Sequence, residues 1–272
     1  MALLFSSVIV VFIYLQLNDG KFFIFLTNEG LLFLTFHFVI EAVLVLKRWS
    51  WEKLHSKHIN CKYLPRMNFN LISHFCYLTL FADHKADSLS PIYKLSWALQ
   101  SATFSIALGI SLVYWSFLHP IVIENGMLNS TAAKLGNFII HGCNTLACLL
   151  DIFISNRPWK PLHFFWPIVF GLCYTSFSVI YWGAGGLGMC FDEKPEEGVT
   201  VQVGDQWCAP YIYPEILDWE TKPMQAVITI AIGVAALPFL HFFWMLLVKL
   251  RRYLHYRSIQ NTKQPLIEPG TP

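Results

Sequence analysis

Charge is scarce in this chain. Only 13% of its 272 residues are Asp, Glu, Lys or Arg, whereas a soluble domain carries about 25%. Apolar residues make up 55% of the chain and aromatic residues 16%. Because a protein surface in water needs charged side chains, this composition excludes an ordinary soluble domain. Much of the surface must face lipid.

Cysteine and net charge are also low. The seven cysteines are scattered without a C-x-x-C pair, which argues against a zinc or redox motif. The net charge of +2 is too small to indicate a nucleic-acid partner. No His, Asp and Glu set has metal-ligand spacing, so we expect no metal and no cofactor. Gly183-x-Gly185-x-x-Gly188 matches the dinucleotide fingerprint, but it follows a predicted membrane helix rather than a strand, so we interpret it as a turn.

Long apolar stretches predict an all-α bundle of about six transmembrane helices, since about 20 apolar residues span the hydrocarbon core. No basic segment precedes the first stretch and no cleavage site follows it, so we expect an uncleaved helix rather than a signal peptide. Phe69–Phe81 is too short to span and predicts an interfacial or re-entrant segment. The six predicted spans are residues 2–17, 22–46, 95–118, 135–155, 162–182 and 224–248.

The basic residues predict the orientation of the spans. Fifteen of the 19 Lys and Arg residues fall in the loop 47–94, in the turn between the fourth and fifth spans, or in the tail 249–272. Cytoplasmic loops carry the excess of Lys and Arg, so both termini are predicted to be cytoplasmic. The basic tail 249–272, whose end is rich in Pro and Gly, is predicted to be disordered.

Two features of the loops predicted to lie outside agree with this orientation. Asn129-Ser130-Thr131 is a sequon for N-glycosylation, with Asn129 as the acceptor. The acidic loop 183–223 has eight Asp or Glu residues against two Lys, and its only cysteines are Cys190 and Cys208. An oxidising compartment favours a disulfide between them, and free thiols are the alternative.

The fourth span carries a stripe of polar residues, since Asn137, His141, Asn144, Cys148 and Asp151 repeat every three or four positions. This spacing places them on one helix face, which lipid forces toward other helices or a water-filled cavity. Interhelical hydrogen bonding and a functional site are both open interpretations. For Asp151, near the basic Arg157 and Lys160, we expect a structural ion pair.

His141 and Thr35 are the two candidate catalytic residues. No charged neighbour in sequence pairs with His141, and a neutral imidazole has the donor and acceptor that a general base needs. Thr35, on the second span, is predicted to lie at a similar depth. The structural alternative is that its hydroxyl bonds a carbonyl one turn back. Glu41 is expected to reach the cytoplasmic surface beside Lys47 and Arg48.

Several short motifs resemble the rolling stone family, whose members are multi-pass membrane proteins and whose founding fly protein is associated with myoblast fusion. They extend over nearly the whole chain in the family's order. Glu29, where the family usually has Trp, and a short N-terminus depart from that pattern. The motifs are Phe25-Leu26-Thr27-Asn28, Tyr93-Lys94-Leu95-Ser96-Trp97, His141-Gly142-Cys143-Asn144 with Asp151 and Pro158, Trp182 with Gly185-Gly186, and Tyr213-Pro214 with Asp218-Trp219.

More distantly, the chain is similar to the androgen-induced membrane hydrolases, which cleave fatty acid esters of hydroxy fatty acids with an intramembrane Thr and His. Leu34-Thr35-Phe36 resembles their Thr site and His141 their His site. The resemblance implies Thr35 as nucleophile and His141 as base. Asn137 or Asn144 would support the imidazole or the oxyanion.

Two functions therefore compete. The first is a surface protein in cell–cell adhesion or fusion, with a cell-surface protein as partner bound through the outer acidic loop. The second is an intramembrane threonine hydrolase whose substrate is a lipid ester. In either case the lipid bilayer is the medium, and the membrane is the plasma membrane or the endoplasmic reticulum.

Overall fold

A computed structural model of the chain describes residues 24–55, 90–124, 130–155, 157, 159–188, 190–191, 200–209 and 216–263. The predicted first span at residues 2–17, the segment Phe69–Phe81 and the glycosylation acceptor Asn129 lie outside these residues. Within them, five helices are long and apolar enough to cross a membrane. The fold is an all-α bundle, as the composition predicted.

The five helices are labelled α1 to α5 in chain order. Two of them contain one turn of π-helix, and α4 begins with a 3₁₀ turn. Helix α1 is Leu26–His55. Helix α2 joins Pro91–Val113, the first π turn Tyr114–Leu118, and His119–Glu124. Helix α3 joins Thr131–Phe138, the second π turn Ile139–Cys143, and Asn144–Ile154. Helix α4 joins Pro161–Phe164 and Phe165–Gly183, and α5 is Pro223–Lys263.

Local sequence explains where two of these helices begin and end. Pro91 opens α2, where its missing N–H costs nothing. Helix α5 continues to Lys263 because neither Gly nor Pro interrupts the chain between Pro238 and Pro265. The tail 249–272 was predicted to be disordered, but its residues 249–263 are helical; residues 264–272 lie outside the described part.

Helix α2 is the centre of the bundle and contacts each of the other four helices. Its buried residues include small ones, Ser101, Ala102 and Ser105 among them, which let helix backbones approach closely in a membrane. Phe104 of α2 packs against Trp244 of α5, whose indole N–H donates to the Phe104 carbonyl at 2.9 Å. The largest buried apolar cluster forms around these two rings; it comprises Leu31, Leu34, Phe38, Phe104, Ala107, Ala147, Cys148, Ile152, Trp244 and Val248.

A small antiparallel sheet lies between α4 and α5 in the chain. Its strands are β1 Cys190–Phe191, β2 Val201–Val203 and β3 Gln206–Cys208, in the order β1-β3-β2. Cys190 lies opposite Cys208 in the sheet, and the two form a disulfide. We call the residues from 184 to 222 the outer segment, after the orientation predicted from the sequence. The opposite end of the bundle, where α3 leads into α4, is called the basic end.

Candidate functional site

The polar stripe on α3 passes through the second π turn. The stripe residues that follow this turn, Asn144, Cys148 and Asp151, are buried. Asn137 and His141 are half-buried. A π turn inserts extra backbone into the helix and is often found at functional sites. The first π turn, on α2, starts at Tyr114, whose ring meets His141, so the two irregular turns adjoin.

The His141 imidazole stacks on the Tyr114 phenol ring, with 3.6 Å between ring centroids and 3° between planes. Its Nδ1 atom is buried and has no hydrogen-bond partner among the described residues. The backbone carbonyl of His141 accepts hydrogen bonds from Ser111 Oγ at 2.5 Å and from Trp115 Nε1 at 3.3 Å. These contacts hold the turn while leaving the ring nitrogen free.

Thr35 lies on α1, which contacts the second π turn. The residue is buried, and its hydroxyl donates to the Leu31 carbonyl one turn back at 3.0 Å. Among the residues that the structure describes, no hydrogen bond joins Thr35 to His141. The fold thus brings the two helices together, while the hydroxyl adopts the structural bond that the sequence offered as an alternative.

Asn144 follows the π turn directly and is 3% exposed. Its Nδ2 donates to the Ile140 carbonyl at 2.7 Å, and its Oδ1 is buried with no hydrogen-bond partner within the described ranges. Asn144 therefore does not hydrogen-bond the imidazole of His141. Together with His141 it leaves two unpaired polar atoms within one stretch of α3.

A second polar group at the basic end was missed from the sequence. Glu41 is only 5% exposed and forms an ion pair with Arg157, from the connection between α3 and α4. The Ser96 hydroxyl donates to Glu41 and accepts from Arg157 Nη1 at 2.9 Å. The expectation that Glu41 reaches the surface is wrong, because a buried cation on another element neutralises it. The sequence did offer one signal for this group: Ser96 and Gln100 are four residues apart, which places both polar side chains on the same face of α2.

Asp151 takes different partners from those expected. It accepts hydrogen bonds from Gln100 Nε2 at 3.4 Å and from Ser155 Oγ at 3.3 Å. In the described part of the chain it makes no ion pair with Arg157 or Lys160. Burial lowers the pKa of Arg157 to about 9, so the guanidinium keeps its charge at neutral pH. Arg157 forms its ion pair with Glu41 instead.

Two further histidines are fully buried. His37, one turn before Glu41, lies against the rings of Phe38 and Phe104. Nε2 of His241 lies 3.1 Å from the Lys160 carbonyl. No group of three His, Cys, Asp or Glu side chains in the described residues could hold a metal ion.

The chain is similar in sequence to proteins of one family. A family profile described as protein rolling stone matches residues 1–262. The chain belongs to the rolling stone family. Protein rolling stone of Drosophila melanogaster is 29% identical to it over 247 residues, which cover 90% of this chain and 72% of that protein. No solved structure matches the chain significantly.

This member of the rolling stone family is a multi-pass membrane protein with a cross-linked outer segment. All three side chains of β2 are exposed, including Val201 and Val203. Next to α5, Asp218 accepts hydrogen bonds from the Thr221 amide at 2.8 Å and from the Thr221 hydroxyl. Burial acts to raise the pKa of Asp218, but these hydrogen bonds outweigh it and hold the pKa below its usual value.

Proposed function

We propose that this chain is a plasma-membrane protein of cell–cell adhesion or fusion, and that its outer segment binds a protein on the neighbouring cell. The supporting observation is the disulfide-bonded sheet with the exposed strand β2. The disulfide constrains the strands, and the exposed Val201 and Val203 offer a partner an apolar surface. Adhesion and fusion are also what the family resemblance implies.

The charge of the outer segment selects the chemistry of the partner. Residues 183–223 carry eight Asp or Glu residues against two Lys. Opposite charges across an interface raise the association rate and disfavour like-charged partners. The partner surface is accordingly basic, and binding weakens as salt is raised.

Substitution of the exposed strand tests this proposal. Cells that express V201K/V203K should bind or fuse with partner cells at least about fivefold less than wild type, because two lysines replace the apolar contact and repel a basic partner. Surface levels are measured in parallel with an extracellular tag. The double variant C190S/C208S should lose binding as well, since it removes a bridge across an 18-residue separation worth about 3 kcal/mol.

Variants within the membrane are the matched controls. T35A and H141A should bind and fuse normally at equal surface levels, because neither residue lies in the outer segment. If either one abolishes fusion while V201K/V203K does not, the adhesion proposal fails.

A second candidate is hydrolysis of a lipid ester inside the membrane. The unpaired Nδ1 of His141, beside the helix that carries Thr35, favours it. Here His141 accepts the Thr35 proton and the Thr35 oxygen attacks the ester carbonyl. The alcohol departs with the proton from His141, and water then releases the acid from the acyl-threonine. Before attack, the Thr35 hydroxyl must leave the Leu31 carbonyl.

A fluorophosphonate probe tests the hydrolase candidate. Labelling of wild-type protein should be abolished in T35A and reduced at least about 100-fold in rate in H141A, because the base is lost. Thr103 provides the control, since it is also buried and its hydroxyl donates to the Leu99 carbonyl at 2.7 Å. Labelling that survives in T35A, or that is lost equally in T103A, eliminates this candidate.

A further inference from the structure

Two unpaired polar atoms lie close together in sequence on α3, at the end of the second π turn. They are Nδ1 of His141 and Oδ1 of Asn144, both buried and without a hydrogen-bond partner in the part of the chain that the structure describes. A buried polar atom without a hydrogen bond destabilises a protein, and few such atoms survive in native structures. Two within three residues of each other indicate a place where a ligand supplies the missing bonds.

The orientation of the Asn144 amide defines what that ligand must offer. Its Nδ2 donates to the Ile140 carbonyl, so the atom left over is the Oδ1 acceptor. A ligand there must donate a hydrogen bond, which an ester carbonyl cannot do. Nδ1 of a neutral imidazole accepts or donates according to its tautomer. A hydroxyl group, with one donor and two acceptor lone pairs, satisfies both atoms.

Two exposed aromatic side chains lie near the second π turn. Trp115 of α2 is 38% exposed and Phe138 of α3 is 50% exposed, with 6.3 Å between their ring centroids. Nε1 of Trp115 donates to the His141 carbonyl, which places the indole directly over the π turn. Two exposed aromatic rings thus lie beside the second π turn, where a lipid can contact them.

We propose that this part of the bundle binds a sterol, with the sterol hydroxyl bonded to Asn144 and His141 and the ring system against Trp115 and Phe138. A rigid fused-ring lipid loses less conformational freedom on binding than an acyl chain does. Flat aromatic side chains also match the flat face of a ring system. The site requires neither the outer segment nor hydrolysis, so it goes beyond both functions proposed above.

The test uses the full chain in lipid nanodiscs with a photoreactive sterol. Wild-type protein should be labelled by the probe with a free hydroxyl and at least about fivefold less by its methyl ether, because the ether cannot donate to Asn144 Oδ1. This comparison needs no variant. Equal labelling by the hydroxyl and the ether overturns the proposal.

Two variants locate the site. N144L is nearly isosteric and removes the acceptor, and H141F keeps the ring stacked on Tyr114 but removes both nitrogens. Each should lower labelling about fivefold when the protein elutes as wild type on size exclusion. S105A is the control, because the Ser105 hydroxyl is buried and already bonded to the Ser101 carbonyl at 2.9 Å. Unchanged labelling in both variants rejects the sterol site. Stronger labelling by a photoreactive ceramide than by the sterol probe also rejects it.

Discussion

At the scale of single residues, Glu41 and Arg157 form a buried ion pair in the bundle. Both side chains are nearly inaccessible, and Ser96 bonds to each of them. Removing two charges from water is expensive, so such a pair adds little net stability compared with apolar residues. Removing one partner, however, leaves an uncompensated buried charge.

The single variants E41Q and R157Q should therefore each lower the melting temperature in detergent by about 6 to 12 °C, which corresponds to about 3 kcal/mol. The double variant E41Q/R157Q should recover part of that loss, because no unpaired charge remains. E220Q, at an exposed position in the outer segment, serves as the control and should melt like wild type. Additive losses in the double variant would contradict the ion pair.

Asp218 gives a prediction that depends on pH. Hydrogen bonds from the Thr221 hydroxyl and the Glu220 and Thr221 amides hold its folded pKa below its unfolded value of about 3.9. Its stabilising effect is thus fully present above pH 4 and is lost as pH falls through the folded pKa. The protection factors of these two amides, measured against the intrinsic exchange rate at each pH, should be high at neutral pH and fall in acid.

In D218A the same two amides should exchange about fivefold faster at neutral pH, because they lose their acceptor. Their exchange should also lose its acid dependence beyond the intrinsic rate. A D205A variant, which changes an exposed turn of the sheet, is the control and should leave both amides protected.

At the scale of secondary-structure elements, the sequence predicted where the helices lie better than which residues of each helix face the bundle interior. The polar stripe on α3 was predicted for a regular helix of 3.6 residues per turn. In the structure, the second π turn falls between Asn137 and Asn144. Asn144, Cys148 and Asp151 lie beyond that turn and are buried together, as the spacing predicted. Asn137 and His141 are only half-buried, because a π turn rotates the preceding segment and hydropathy carries no signal for it.

The packing of α4 on α5 is tight at Gly171. A Cβ atom there would lie 2.9 Å from Leu237 Cδ1, whereas a Cβ at Gly233 meets nothing within 4 Å. G171L should destabilise the bundle by about 1 to 3 kcal/mol through overpacking, and G171A less, because the Leu237 side chain can shift. G233L is the matched control within the membrane. Equal melting temperatures for G171L and G233L would disprove the contact.

At the scale of the whole molecule, the orientation predicted from Lys and Arg assigns the basic end to the cytoplasm. In intact cells, a tag inserted in the outer segment should be stained by antibody, and a tag at either terminus should be stained only after permeabilisation. Staining of a terminal tag without permeabilisation would reverse or break the predicted topology.

Much of the architecture followed from the sequence because lipid imposes it. A span needs a long apolar helix, and two cysteines in one outer loop can pair only with each other within that loop. The partners of buried charges did not follow. Hydropathy does not say which helices are neighbours, so the contact between Glu41 of α1 and Arg157 of a distant connection could not be predicted.

The two π turns have a consequence for the evolution of this family. Such a turn is what a helix becomes when it gains a single residue without losing its ends. Relatives with regular helices at these places should lack one residue near positions 114–118 and one residue near positions 139–143. Paired gaps in an alignment would then separate the lineages that carry the irregular turns from those that lack them.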